Sequence, residues 1–130
     1  MKRIIIYILS LLLIVLAACT PSVPSEYDKT DSVPVIYPDY SDVTVPCNIA
    51  PLTFRIENDA DEFVTRFSSG KNEILAAGQE VSLPVDDWSS LLYSASGGDV
   101  KVEVFSCKAG KWSAFMPFNI HVSPDSIDRY

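Results

Sequence analysis

The stretch Val100-Lys101-Val102-Glu103-Val104, followed by the turn residues Lys108-Ala109-Gly110-Lys111 and then by Trp112 to Val122, decides the fold class. Three valines alternate with two charged side chains. Successive residues of a strand point to opposite faces, so this pattern buries one face and wets the other. On the returning arm Trp112, Ala114, Met116, Phe118, Ile120 and Val122 recur at period two, which predicts an antiparallel hairpin with all six on one face. Phe115 falls on the other face, so part of the hairpin is expected to be covered on both sides.

Working outward, Leu52, Phe54 and Ile56 alternate with Thr53, Arg55 and Glu57, and Phe63, Thr65 and Phe67 alternate with Val64 and Arg66. Each set predicts a strand with one buried face. Asn58-Asp59-Ala60-Asp61 and Ser68-Ser69-Gly70-Lys71 are turns by composition. Val43, Val45 and Cys47 predict a further strand that Pro46 confines to a sheet edge or a strand end. Val81, Leu83 and Val85 predict another, ending near Pro84, while Asn72 to Gly78 is ambiguous. Trp88, Leu91, Leu92 and Ala95 stand at helical spacing, with Asp86 or Asp87 placed to cap the helix and Gly97-Gly98 to stop it. Six or seven short strands with regular turns predict an all-β fold. The architecture expected is an immunoglobulin-like antiparallel β-sandwich with one short helix, spanning residues 37–124 and leaving 125–130 as a C-terminal tail.

The N-terminal side has a different character. Met1-Lys2-Arg3 is a positive n-region, and Ile4 to Leu16 is an apolar run, the layout of a signal peptide. The run is short for a membrane span, which wants about 20 apolar residues, and it gives way to Thr20-Pro21-Ser22-Val23-Pro24-Ser25. A retained anchor helix is the alternative to cleavage. Leu16-Ala17-Ala18-Cys19 resembles the lipobox of bacterial lipoproteins. That resemblance implies removal of residues 1–18 and acylation of Cys19, so that lipid carries the chain to a membrane. Several acyl chains make such attachment firm, since one alone holds only marginally. Thr20 stands where an inner-membrane retention aspartate would be, so the resemblance points to the outer membrane of a Gram-negative cell. The first residues after Cys19 are not acidic, which favours its periplasmic face. Residues 19–36, rich in Pro, Ser, Asp and Thr, read as an extended tether, with Pro21, Pro24, Pro34 and Pro38 stiffening the segment.

Composition sets further bounds. The whole chain has 10 Lys and Arg against 17 Asp and Glu; without Lys2 and Arg3, the part from Cys19 onward carries about −9. A basic surface that could neutralise phosphates is missing, so nucleic acid is not an expected partner. From Cys19 to Tyr130 there is enough chain for one small core. With Cys19 lipidated, Cys47 and Cys107 remain as an even pair in an oxidising compartment, read as a disulfide. Two separate buried thiols are the alternative, and Cα separation decides between them.

Few residue patterns suggest chemistry. His121, the one histidine, lies between Ile120 and Val122 with no nucleophile or orienting carboxylate adjacent in sequence, so it reads as structural. Zinc sites show close-spaced ligand pairs, which Cys47, Cys107 and His121 do not form. Asp59, Asp61 and Glu62 lack the glycine and spacing of a calcium loop. Tyr37 and Tyr40 are the aromatics left as exposed candidates for stacking on sugar rings. No cofactor and no catalytic residue is expected.

Ile36-Tyr37-Pro38-Asp39-Tyr40-Ser41-Asp42-Val43-Thr44-Val45-Pro46, continued by Asn48 to Glu57, is similar to the N-terminal domain of large Gram-negative lipoproteins that carry a TolB-like β-propeller. Trp88 with Leu91-Leu92, the Trp112 to Val122 strand and the closing Ser126-Ile127-Asp128-Arg129-Tyr130 are similar to it in order and spacing. The resemblance implies an immunoglobulin-like domain followed by a C-x-x-C-H motif and propeller repeats. This chain ends at Tyr130, before either, and is expected to be a truncated frame, a fragment or a free-standing paralogue. The function expected is a lipid-anchored, non-enzymatic spacer or protein-interaction domain of the cell envelope. A surface glycan-binding module using Tyr37 and Tyr40 is the alternative.

Overall fold

The computed structural model describes residues 2–16 and 21–127. Helix α1 (Lys2–Leu16) leads the chain. Ten strands follow: β1 (Asp28–Lys29), β2 (Ile36–Tyr37), β3 (Thr44–Pro46), β4 (Phe54–Ile56), β5 (Glu62–Ser69), β6 (Asn72–Ala77), β7 (Glu80–Val81), β8 (Asp99–Lys108), β9 (Lys111–Ala114) and β10 (Phe118–Ser123), with helix α2 (Val85–Ser94) between β7 and β8. They build two sheets. β8 is the spine of the larger: β5 and then β6 lie on one side, and β9 and β10 follow one another along the other. β1 lies outside β9, and β3 lies outside β10, both parallel to their neighbours. The smaller sheet is β2-β4-β7, antiparallel throughout.

The facing sides of the two sheets make the core. Phe54, Ile56 and Val81 of the small sheet meet Phe67, Val100, Val102, Val104 and Ile120 of the large one, all nearly fully buried. The clean alternation at Leu52-Phe54-Ile56 and at Val100-Val102-Val104 therefore does what the sequence predicts. Trp88, Leu91, Leu92 and Ala95 are buried as expected, and α2 closes the core against β5 and β6. Phe54, Phe67 and Trp88 touch in series, with ring centroids 6.2 Å apart at each step. The mainly β architecture of two facing, largely antiparallel sheets is thus as expected.

One ambiguity is resolved and four local expectations change. Asn72 to Ala77, the ambiguous stretch, is β6, paired in register with β5 from Val64↔Ala77 to Ser69↔Asn72. The strand expected at Val81 to Val85 is only β7, because Pro84 starts α2 as its N-cap. Asp86 and Asp87 do not cap. They lie in the first turn, where negative charge favours the helix dipole.

The third change concerns the returning arm of the hairpin. Ala114 pairs with Phe105 and Phe118 with Val102, so four residue steps on one strand oppose three on the other. A bulge of this kind reverses the facing of everything beyond it. Phe118, Ile120 and Val122 face the core, whereas Trp112 and Ala114 sit on the outer face with their partners Cys107 and Phe105. Phe115, expected outside, packs against the core, and Met116 is exposed.

The fourth change concerns the tether. Residues 28–36 are laid onto the sheets. β1 pairs with β9, the Thr30 N–H donates to the Ala114 carbonyl (2.9 Å), and the Met116 N–H donates to the Ser32 carbonyl (2.9 Å). Ile36 is buried in β2. Tyr27 stands edge-on to Phe105 at 5.1 Å and covers the outer face of β8. Both sides of the β8–β9 hairpin are covered, but it is the strap that covers the outer one.

Candidate functional site

Cys19 lies outside the described residues, as do Ala17 and Ala18 of the lipobox-like stretch. α1 is described from Lys2 to Leu16, and its side chains from Lys2 to Ser10 are exposed. The fifteen described residues of α1 rise about 22 Å. No helix among the described residues is long and apolar enough to cross a membrane.

Cys47 and Cys107 are free thiols, which corrects the expected disulfide. β10 runs antiparallel to β8, with His121 opposite Asp99, and Cys47 follows Pro46, which pairs with Ser123 beyond that point. Cys107 sits at the other end of β8, opposite Trp112. The length of β8 between them is about 26 Å at strand rise, and a disulfide needs Cα atoms within about 7 Å. The Cys47 Sγ instead donates weakly to the Pro124 carbonyl at 3.6 Å, and Cys107 is buried.

The two tyrosines part company. Tyr37 is exposed, but Tyr40 leans on Phe54 at 6.4 Å and packs against the core, so they do not form a shared stacking platform. Two of the three carboxylates, Asp59 and Asp61, are engaged with the β8–β9 turn: the Lys108 ammonium reaches Asp59 at 2.9 Å, and the Ala109 N–H donates to Asp61 at 3.0 Å. Ala109 has φ of 52°, a left-handed conformation that the Asp61 bond helps to hold. Among the described residues, no group of three or more His, Cys, Asp and Glu side chains is arranged to hold a metal ion.

What the sequence did not signal is the surrounding of His121. Its Nδ1 is 2.6 Å from the Asp99 Oδ1 and its Nε2 is 2.5 Å from the Asp42 Oδ1. Asp99 is its cross-strand partner on β8. Asp42, just ahead of β3, has φ of 61°, a region that Asp tolerates better than most residues. Its N–H donates to the Asn119 carbonyl (2.8 Å), while the His121 N–H donates to the Val43 carbonyl (2.8 Å). Hydrogen bonding to Asp42, then to Asp99, raises the His121 pKa above its ordinary 6.5. Asp42 and Asp99 are 79 and 22 residues from His121 in the chain, so only the β3-β10-β8 order brings the three together.

Elsewhere on the large sheet Arg66 and Glu103 form a two-bond pair, 3.0 Å at each contact, with the guanidinium 5.8 Å from the Phe105 ring centre. That pair holds Arg66 more firmly protonated than usual. An open hollow of about 790 Å³ lies between residues Ser22 to Asp28 and the Gly110 to Trp112 stretch. A second, of about 380 Å³, lies between β6 and α2. No protein-family model, curated protein or solved structure matches this chain.

Proposed function

We propose that this chain is a lipid-anchored envelope lipoprotein whose β-sandwich serves as a non-enzymatic spacer or protein-interaction domain. The observation that carries the reading is the N-terminal segment: helix α1 (Lys2–Leu16), basic at its start and exposed from Lys2 to Ser10, whose apolar sequence leads into the lipobox-like stretch Leu16-Ala17-Ala18-Cys19. A segment of that length and polarity suits an export signal better than a span. Cys19 is then the lipid-bearing residue, with the outer membrane, periplasmic face, as its location.

The sandwich is read more finely as immunoglobulin-like. Its support is the partition of strands, β2, β4 and β7 against β5, β8 and β10, which corresponds to the A, B, E and C, F, G sheets of such domains. The first strand is split between sheets, β2 in one and β3 in the other. Membership among N-terminal domains of TolB-like lipoproteins rests on the resemblance at 36–57 and the later stretches alone. A step from sandwich to interaction is analogy at the level of the fold.

Cys19→Ala tests the anchor. Expression in a Gram-negative host with labelled palmitate should give labelled, membrane-associated wild-type protein and an unlabelled variant that is unprocessed or soluble. Equal labelling and equal membrane partition of the two would overturn the reading.

A further inference from the structure

We propose that His121 is a proton-operated latch on the edge strand β3. β3 has three residues and only Val45 of them is buried. Its outer side has no partner strand among the described residues, so it depends on β10 and on the contacts at its two ends. At its far end Asn48 exchanges two hydrogen bonds with the Ile127 backbone. At its near end stands the Asp42–His121–Asp99 bridge.

The chemistry of the bridge follows from donor counting. Both ring nitrogens of His121 face carboxylate oxygens, and carboxylates only accept. An imidazolium has two N–H donors and satisfies both. Neutral imidazole has one, so its other nitrogen presents a lone pair to an anion. One arm must then let go. Asp99 is a member of β8, directly across from His121, and its side chain is 46% exposed. Asp42 belongs to a loop and its side chain is 85% exposed, so water solvates it readily once it is released. Asp42 is the arm that opens, and the backbone bonds on either side of it, Asp42 N–H to Asn119 and His121 N–H to Val43, loosen with it.

The other groups around the ring do not replace the proton. Lys101 of β8, opposite Asn119, is the one further charged residue on the neighbouring positions of that face. It carries the same sign as the imidazolium. Thr44 lies across from His121 on β3, and Asn119 and Ser123 flank it on β10, all uncharged.

The test uses the full chain in detergent micelles and two-dimensional NMR with hydrogen exchange from pH 5.5 to 9. His121 should titrate above 6.5. Protection of the Asp42 and His121 amides, corrected for intrinsic exchange and divided by that of Val102, should fall about threefold or more across that titration, the scale of an exposed ion pair. A ratio that stays flat while His121 titrates would overturn the proposal. Asp42→Asn, which keeps a residue that tolerates positive φ, should remove the pH dependence of the ratio. Its persistence in that variant would also overturn the latch.

Discussion

Trp112 and Phe118 face opposite sides of the large sheet, although both lie an even number of residues along the same arm. The four steps from Ala114 to Phe118 oppose three from Phe105 to Val102 on β8. Phe118 is 7% exposed in the core, and Trp112 lies partly exposed on the outer face beside Gly110 and Lys111. Their truncations should therefore differ. Phe118→Ala should destabilise the domain by about 3–5 kcal/mol, and Trp112→Ala by clearly less, as measured by urea unfolding of the two variants. Equal losses would mean that both rings are in the core.

The cysteines should behave as independent thiols. In the folded protein a thiol reagent should label Cys47 readily and Cys107, 6% exposed, only after unfolding. Peptide mass spectrometry after alkylation without reductant reads both sites. A Cys47–Cys107 linked peptide would contradict the separation of the two along β8.

The sign of the His121 contribution to stability follows from its raised pKa. A group whose folded pKa lies above its unfolded value stabilises fully below the unfolded value and loses that effect as pH rises through the folded one. The unfolded value is about 6.5. Wild type should thus exceed His121→Gln in stability more at pH 6 than at pH 9. Denaturant midpoints at the two pH values measure it, and a gap that widens toward pH 9 would refute the sign.

Arg66 and Glu103 should be coupled. Their side chains are 27% and 19% exposed, and the contact is two-pronged, a geometry that outperforms an ordinary surface pair. A double-mutant cycle with Arg66→Ala and Glu103→Ala should return about 1 kcal/mol of coupling. For Lys111 and Asp28, 76% and 63% exposed, the same cycle should return close to nothing.

Local patterning carried the buried strands and α2. Leu52, Phe54 and Ile56 needed only period two, and Trp88, Leu91, Leu92 and Ala95 only helical spacing. The bulge at 115–117 escaped because a period-two reading was carried straight through Pro117, although a residue without an N–H inside a strand marks an edge or a bulge. β1 escaped for another reason: Asp28 and Lys29 join β9 through backbone hydrogen bonds, which leave no hydrophobic trace. The His121 bridge is a product of strand order, to which a neighbour-by-neighbour reading is blind. Cys47 and Cys107 paired on paper because composition counts thiols without locating them.

β1 also gives the domain a polarity. It runs parallel to β9, so the chain reaches the sheet from the end where Lys108 to Lys111 turn, while Asn48 and Ile127 meet at the opposite pole. If Cys19 carries lipid as proposed, the nine steps to Asp28 are the leash, about 30 Å when fully drawn out. A domain moored that closely would keep the Lys108–Lys111 turn toward the bilayer and turn His121 and β3 to the open side, where an approaching partner meets them first.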